Sequence, residues 1–370
     1  MERIVKGTCS DRTADGRRKI LVVRLDAIGD YVLFRNHLRF LRQSKSFRDA
    51  HLTILGNPVW RNLAETFDSE CADAWWWLAD PGRYFKKGRE NLLPAPIWKR
   101  RVRTEQDALR EALKKGSFDC VISPRVERDS QLDSLLAGIA PELVGAKGPE
   151  PLPGDCAYTT LLDVNGGPFM FDRNRSFLAA LTGEEPDVRL RLEVPANQRT
   201  SNGEKPIVLC IGASHWTRRL PDSHLLELGR QLLAKTNRDL LLAGGKGDTQ
   251  KALALKHALG NFPRLSVIAG NASLAEFSRV AATAACVVSH DTGPMHIAAA
   301  IGVPVVCIAN GYSGKDAFWP YPDERVRMCL PPPPLPPLSH FLPLAQLQSA
   351  KAIRSIPTDS IVAEILKAMA

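Results

Sequence analysis

The sequence predicts an α/β protein with two doubly wound domains, each a parallel sheet covered by helices on both faces. Apolar runs of strand length alternate with segments of helical periodicity through most of the chain, and this alternation is typical of such sheets. The alternation stops in a stretch rich in proline and glycine, 149–203, and then restarts. Because 370 residues can build two cores, we expect one domain on each side of that stretch.

The first half opens with a strand, a turn and a helix. KILVVRL (19–25) is a buried strand, DAIGD follows it, and YVLFRNHLRFLRQS (31–44) has helical spacing. We predict a second strand and helix over 50–57 and 59–67, and a helix over 104–116 before a strand over 119–123. The triplet Trp75, Trp76 and Trp77 is more typical of core packing than of a stacking platform, since three consecutive side chains cannot share one face.

The second half repeats the alternation. We predict strands over 206–214, 239–245, 265–272 and 286–293, a helix over 224–236 and another helix that Ser273 caps. The proline-dense segment 329–344 is a loop or strap, and the last segment is an amphipathic helix. These limits give domains over 1–185 and 186–345 and a closing helix over 346–370.

Composition excludes several classes of protein. No apolar run approaches the roughly 20 residues of a membrane-spanning helix, and the N-terminus has no secretory h-region, so we expect a cytoplasmic protein. The cysteines form no Cys-x-x-Cys pair and no acidic or histidine cluster has ligand spacing, which predicts no metal.

The net charge is +9, and segment 83–115 holds eleven Lys or Arg against four acids. That segment is either a solvated surface or a surface for an anionic lipid or acceptor; nucleic-acid motifs are absent.

Ligands of open parallel sheets bind at the carboxyl ends of the strands, so the turns there are the candidate sites. In DAIGD, Gly29 permits a tight turn and Asp30 begins the helix. Asp30 is either a plain helix cap or a carboxylate that takes a proton from an attacking hydroxyl, and Asp26 is a second candidate.

Two further turns belong to the second half. GASHWTRRLP (212–221) offers the hydroxyls of Ser214 and Thr217 and the guanidinium forks of Arg218 and Arg219, which suit phosphate oxygens. The alternative is a basic surface loop. AGGKGDTQ (243–250) is rich in glycine but is not a Walker loop, and the chain also lacks GxGxxG after its first strand.

The most specific turn is SHDTGPMHI (289–297). Asp291 or Thr292 can cap a helix, Gly293 leaves room, and Pro294 suits the first helical turn. A helix start leaves amide N–H groups unpaired and carries partial positive charge. Together with His296 in the first turn, these residues favour a bound diphosphate over a helix that merely caps itself.

The segments VVRLDAIGDYVL, GASHWTRRLPDSHLLELGRQL, LLLAGGKGD and VVSHDTGPMHIAAAIGVPVVCI together resemble glycosyltransferase family 9, the ADP-heptose:lipopolysaccharide heptosyltransferase family. The resemblance implies a GT-B fold, in which two Rossmann-like domains face each other across a cleft. The acceptor then binds mainly to the N-terminal domain and the nucleotide-sugar donor to the C-terminal domain. The resemblance also implies that the closing helix packs back on the N-terminal domain.

The resemblance also implies roles for particular residues. The family's Gly-Asp after the first strand matches Gly29 and Asp30, which makes Asp30 the catalytic base with Gly29 and Asp26 on the acceptor side. Arg219 stands where the family has Lys, Leu220 stands where it has Trp, and Asp248 replaces the usual ribose-binding Glu. The residues expected to bind the donor are Ser214, Thr217, Arg218, Arg219, Gly245, Asp248, Asp291, Thr292, Gly293, Met295 and His296.

The expected activity is therefore inverting, metal-independent and cofactor-free transfer of heptose from ADP-heptose to a lipopolysaccharide core or related surface glycan. The expected partners are the nucleotide-sugar, an anionic glycolipid acceptor and the anionic face of the inner membrane, with no nucleic acid. The alternatives are transfer from another nucleotide-sugar, a GT-B epimerase or phosphorylase, and a non-catalytic nucleotide-binding relative.

Overall fold

The computed structural model describes residues 4–6, 16–81, 95–195, 204–314, 317–318 and 321–370, without the side chains of residues 5, 6 and 95–102. The chain divides into two compact units, Met1–Arg189 and Leu190–Ala370. This division lies four residues beyond the predicted boundary at 185. Each unit holds one sheet with helices packed against it.

The sheet of the first unit has seven strands in the order β1-β4-β3-β2-β5-β6-β7. All neighbours are parallel except β1 and β4, which pair antiparallel at one edge. Leaving β1 aside, this is the 3-2-1-4-5-6 order of Rossmann domains. The strands are β1 (Ile4–Lys6), β2 (Lys19–Arg24), β3 (His51–Gly56), β4 (Ala74–Leu78), β5 (Cys120–Ser123), β6 (Glu142–Ala146) and β7 (Thr160–Leu162).

The sheet of the second unit has six parallel strands in the order β10-β9-β8-β11-β12-β13, again the Rossmann order. The predicted α/β class with two Rossmann-like, doubly wound domains is confirmed. The strands are β8 (Ile207–Cys210), β9 (Leu240–Ala243), β10 (Leu265–Val267), β11 (Cys286–His290), β12 (Val305–Ile308) and β13 (Val326–Cys329).

Helices follow most strands. Those of the first unit are α1 (Ile28–Gln43), α2 (Arg61–Phe67), α3 (Ala95–Lys114), α4 (Ser130–Leu136) and α5 (Met170–Thr182). Those of the second unit are α6 (Asp222–Lys235), α7 (Thr249–Ala258), α8 (Leu274–Ala281), α9 (Gly293–Ile301), α10 (Leu342–Arg354) and α11 (Thr358–Met369). None of the helices searched among the described residues is long and apolar enough to cross a membrane.

The tryptophan triplet forms β4, and all three side chains are buried because both faces of this strand are covered. Trp75 and Trp77 lie on one face, where Trp60 packs edge-on against both, and Trp76 contacts Phe118 on the other. The core-packing interpretation is therefore confirmed, although the sequence analysis did not predict a strand there.

The closing segment forms two helices, where the sequence analysis predicted one. The second of them, α11, buries Ile361, Val362 and Ile365 in the core of the second unit, beside strand residues such as Val306 and Ile308. Its predicted packing on the N-terminal domain stays a prediction; in the structure this apolar face belongs to the core of its own unit.

Candidate functional site

The predicted site residues follow particular strands of each sheet. In the Rossmann order, the first and fourth strands lie side by side and their helices leave in opposite directions, which opens a crevice at their carboxyl ends. These strands are β2 and β5 in the first unit, and β8 and β11 in the second. Asp26 and Asp30 follow β2, the 212–219 turn follows β8, and the 291–293 turn follows β11. Each unit therefore has a candidate binding crevice of its own.

Asp30 is the third residue of α1, because Ala27 is the N-cap. Its carboxylate accepts a hydrogen bond from the Ala27 N–H at 3.2 Å, so part of the predicted capping role is real. Burial and the nearby negative charge of Asp26 raise the pKa of Asp30 to about 6, while Arg24 and Arg125 act in the opposite direction. A carboxyl group with this pKa is mostly ionised at neutral pH and is a stronger base than an ordinary aspartate.

Asp26 has a different environment. Its two carboxylate oxygens lie 3.0 Å from Arg24 Nη2 and 3.0 Å from Arg125 Nε, and its side chain is almost fully buried. Each oxygen of the Asp26 carboxylate therefore lies beside a guanidinium cation. The structure thus separates the two candidates: Asp26 is a fixed counter-ion, and Asp30 is the group suited to proton transfer.

The sequence analysis missed both arginines. Arg24 ends a strand whose four preceding residues are apolar, and Arg125 comes two residues after the end of another strand. A charged residue that ends a buried strand is the signal that could have identified them, because a charge is rarely buried without a partner.

The turn after β8 is held by its own arginines. Arg218 Nη1 donates to the Asp291 carbonyl at 2.9 Å, and Arg219 Nε donates to the Ala213 carbonyl at 2.7 Å. Thr217 is buried with its hydroxyl 2.7 Å from His215 Nδ1, whereas Ser214 is exposed. The Arg218 bond joins this turn to the turn after β11, so the two predicted donor-binding segments do lie together.

His290, the last residue of β11, fixes the same turn from the other side. Its Nε2 accepts the Leu220 N–H at 3.0 Å, and its Nδ1 lies 3.2 Å from the Gly212 carbonyl. Both bonds form only in the neutral tautomer with the proton on Nδ1. Burial lowers the pKa of His290 to about 4, so the imidazole ring is neutral at physiological pH. His290 therefore positions both ends of the 212–220 turn.

Helix α9 begins at Gly293, with Thr292 as its N-cap, one of the two cap residues predicted. The Thr292 side chain makes no capping bond to the helix; its hydroxyl donates instead to the His290 carbonyl at 3.3 Å. The threonine of this turn therefore does not serve the simplest self-capping role, and the helix start keeps the anion-binding character expected of it.

Met295 and His296 are buried within the second unit. The His296 Nδ1 is hydrogen-bonded to the Tyr321 hydroxyl, and burial lowers the pKa of His296 to about 3. The donor-binding role predicted for Met295 and His296 stays a prediction.

The glycine-rich turn after β9 lies against the turn after β8. Asp248 accepts the Gly245 N–H at 2.9 Å, and a Cβ at position 212 would collide with the Asp248 carboxylate.

Asn310 was missed by the sequence analysis: it is buried after β12, and its Nδ2 donates to the Thr217 carbonyl at 3.3 Å. The signal for Asn310 is a polar residue two positions after the apolar strand VVCI.

Within the described residues, no group of three or more His, Cys, Asp or Glu could hold a metal ion. The expected absence of metal and cofactor stays a prediction. Residues 83–94 of the basic segment lie outside the described residues, as do the side chains of 95–102. Its proposed contact with an anionic partner stays a prediction as well.

Comparisons with known proteins agree with this architecture. The E. coli heptosyltransferase WaaC, solved with ADP-2-deoxy-2-fluoro heptose, is similar with a TM-score of 0.68 and 18% identity, over 94% of this chain and 99% of that one. A family 9 glycosyl transferase from Veillonella parvula is similar with a TM-score of 0.69 and 16% identity, over 95% and 97%. Both similarities cover almost the whole chain and therefore both units, so they confirm the predicted GT-B fold.

A protein of Haemophilus influenzae, described provisionally as a glycosyltransferase, is 24% identical over 177 residues. The match spans 47% of this chain and 48% of that relative, about half the length of each. The family model described as glycosyltransferase family 9 (heptosyltransferase) matches residues 107–339, more than half of the chain. The chain belongs to glycosyltransferase family 9.

Proposed function

We propose that this chain transfers heptose from ADP-heptose to a lipopolysaccharide core or a related surface glycan, with inversion at the anomeric carbon and without a metal. Family membership supports sugar transfer, and the heptose analogue bound in a structure of similar fold supports the choice of donor. The single observation that carries the chemistry is Asp30, a half-buried carboxyl group in the first turn of α1 with a pKa of about 6.

In this proposal Asp30 accepts the proton of the acceptor hydroxyl as its oxygen attacks the anomeric carbon. The bond to the diphosphate breaks as the new glycosidic bond forms, so the sugar is transferred in one inverting displacement. Asp26 remains bound to Arg24 and Arg125, and its negative charge helps to keep Asp30 basic.

The second unit would bind the donor through the turns that follow β8, β9 and β11. Arg218 and Arg219 each use one N–H group to hold the turn, and a guanidinium has further donors for phosphate oxygens. The start of α9 at Gly293 and the hydroxyls of Ser214 and Thr292 would stabilise the departing diphosphate. Such groups can replace a metal as the source of positive charge.

The test is Asp30→Asn, which keeps the size of the side chain and removes its basicity. We expect transfer to fall by about 10²–10⁴-fold, with ADP affinity in calorimetry unchanged because the donor turns belong to the second unit. The matched control is Asp172→Asn, since Asp172 is also the third residue of its helix, α5, in the same unit. Its transfer rate should equal that of the wild type.

Misfolding can be distinguished from lost chemistry. The pKa of Asp30 is raised in the folded chain from 3.8 to about 6, so its ionised form destabilises the fold above about pH 6. Asp30→Asn should therefore leave the Tm unchanged or higher at neutral pH. Wild-type transfer by this variant would refute the base assignment, and a chain that binds ADP but transfers no sugar to any acceptor would refute the activity.

A further inference from the structure

Helix α10 and the proline-rich strap before it expose an apolar surface, and none of its residues is among those assigned above to sugar transfer. Twelve large apolar side chains are exposed in the described part of the chain, and six of them lie within 330–347. We name these six the α10 surface: Leu330, Leu338, Phe341, Leu342, Leu344 and Leu347. Phe341 and Leu342 are the most exposed, at 68% and 67%. A concentration of this kind marks an interaction site more often than chance.

The helix under this surface is firmly anchored. It buries Ala350, Ala352 and Ile353 on its inner side, with Ile353 in the core of the second unit, and it packs against the short turn Trp216–Arg218. The surface is therefore presented by a fixed element.

The exposed side of α10 changes character along its length. Leu344, Leu347, Lys351 and Arg354 are spaced by three, four and three residues, so they lie on one side of the helix. All four are exposed. The side is apolar near the start of the helix and basic near its end.

The segment that contains the strap and α10 carries only positive charge. Segment 325–358 contains four Lys or Arg and no Asp or Glu. Arg325 pairs with Asp323 and Arg327 with Glu364, whereas no ion pair of Lys351 or Arg354 is found among the described residues. Trp216, on the turn that α10 packs against, is also exposed, and tryptophan is a side chain that favours the membrane interface.

We propose that the α10 surface docks on an anionic lipid bilayer. The apolar side chains at the start of the helix enter the acyl-chain boundary, while Lys351 and Arg354 contact the phosphates of the headgroups. An acidic protein would match the two cations but not the cluster of exposed leucines beside them. The inference goes beyond sugar transfer, because the docking requires neither donor nor acceptor sugar.

The test measures sedimentation of the full chain with vesicles, without any substrate. We expect binding to equimolar phosphatidylcholine and phosphatidylglycerol, and weak binding to pure phosphatidylcholine. The triple variant Phe341→Ser, Leu344→Ser, Leu347→Ser should bind the anionic vesicles about tenfold or more weakly. The matched control, Leu253→Ser with Phe262→Ser, removes apolar side chains of the same unit that are about half exposed. It should bind like the wild type.

A second variant tests the charges. Lys351→Gln with Arg354→Gln should lower the affinity for the anionic vesicles about tenfold and so reduce the preference for them. The proposal is wrong if the wild type does not bind, if the triple variant binds equally well, or if the surface joins two copies of the chain. The last outcome would appear as a wild-type dimer that the triple variant converts to a monomer. Transfer to a water-soluble acceptor should be unchanged in all variants, so failure of the docking and failure of the proposed activity are distinguishable.

Discussion

At the scale of single residues, the raised pKa of Asp30 predicts the pH dependence of the reaction. A general base works only when it is ionised, so kcat/KM should fall about tenfold per pH unit below about pH 6 and level off above it. The measurement is kcat/KM across this range, with ADP affinity determined at each pH as the control. A midpoint near 3.8, the value of an ordinary aspartate, would show that burial and Asp26 do not raise the pKa as the structure implies.

His290 supports a second prediction at this scale. His290→Phe would leave the buried Leu220 N–H and the Gly212 carbonyl without their partner, at a cost of about 2–4 kcal/mol in the free energy of unfolding. Because the same turn holds the proposed diphosphate site, ADP should bind about tenfold more weakly in calorimetry. His257→Phe is the control, since His257 is exposed on α7. Wild-type ADP affinity in His290→Phe would show that the turn does not need this side chain.

Residues that lie on glycine-containing turns after strands were predictable from the sequence, because local order alone places them at the edge of a sheet. Asp30 and Gly293 are of this kind. The partners that set their chemistry were not predictable, since Arg125 lies about 100 residues from Asp26 in the chain and reaches it only because β5 pairs with β2. Local sequence patterns do not determine such long-range pairs.

At the scale of elements, the tryptophans of β4 show how a strand can be fixed by its neighbours. Trp77 stacks on Trp75 with ring centroids 5.6 Å apart and meets Trp60 edge-on at 5.1 Å. Trp77→Ala should cost about 3–5 kcal/mol in the free energy of unfolding of the first unit. Trp216→Ala is the control, because that side chain is 45% exposed. Equal Tm values for the two variants would contradict the structural role of the β4 tryptophans.

Elements whose apolar residues recur at a regular spacing and whose ends carry a capping residue were predicted well. Helix α8 begins after Ser273, whose hydroxyl accepts the Glu276 N–H while Glu276 accepts the Ser273 N–H, a pattern visible in the letters SLAE. Strand β4 was not predicted, because its five buried residues show no alternation between apolar and polar positions. Strand β7 has three residues, too few for any period to appear.

At the scale of the whole molecule, the doubly wound architecture followed from the repeated alternation of strands and helices, but the order of the strands did not. Both sheets adopt the same order because each chain half crosses back once to the other side of its first strand. That crossing places the turns after β8 and β11 together in the second unit, and those after β2 and β5 together in the first. The candidate sites are thus a consequence of topology, which local periodicity does not encode.

Both units contain histidines that are buried in the neutral form, which predicts how the molecule responds to acid. Burial lowers the pKa from 6.5 to about 3 for His37 and His296 and to about 4 for His290. Below pH 6.5 the unfolded chain takes up protons that the folded chain refuses, so stability is lost as the pH falls toward 4. In this window, each histidine lowers the free energy of unfolding by about 1.4 kcal/mol for every pH unit of acidification.

Asp30 acts in the opposite direction. Because its pKa is raised on folding, its protonation stabilises the folded chain as the pH falls from about 6 to 3.8. One such group offsets only one of the three histidines, so the net effect is destabilisation. We expect the Tm to fall by several degrees per pH unit below about 6.5 in calorimetry. His37→Leu, which replaces a ring buried against Phe34 and Phe171, should reduce this slope for the first unit. A Tm that stays constant down to about pH 4.5 would mean that these histidines are not held neutral.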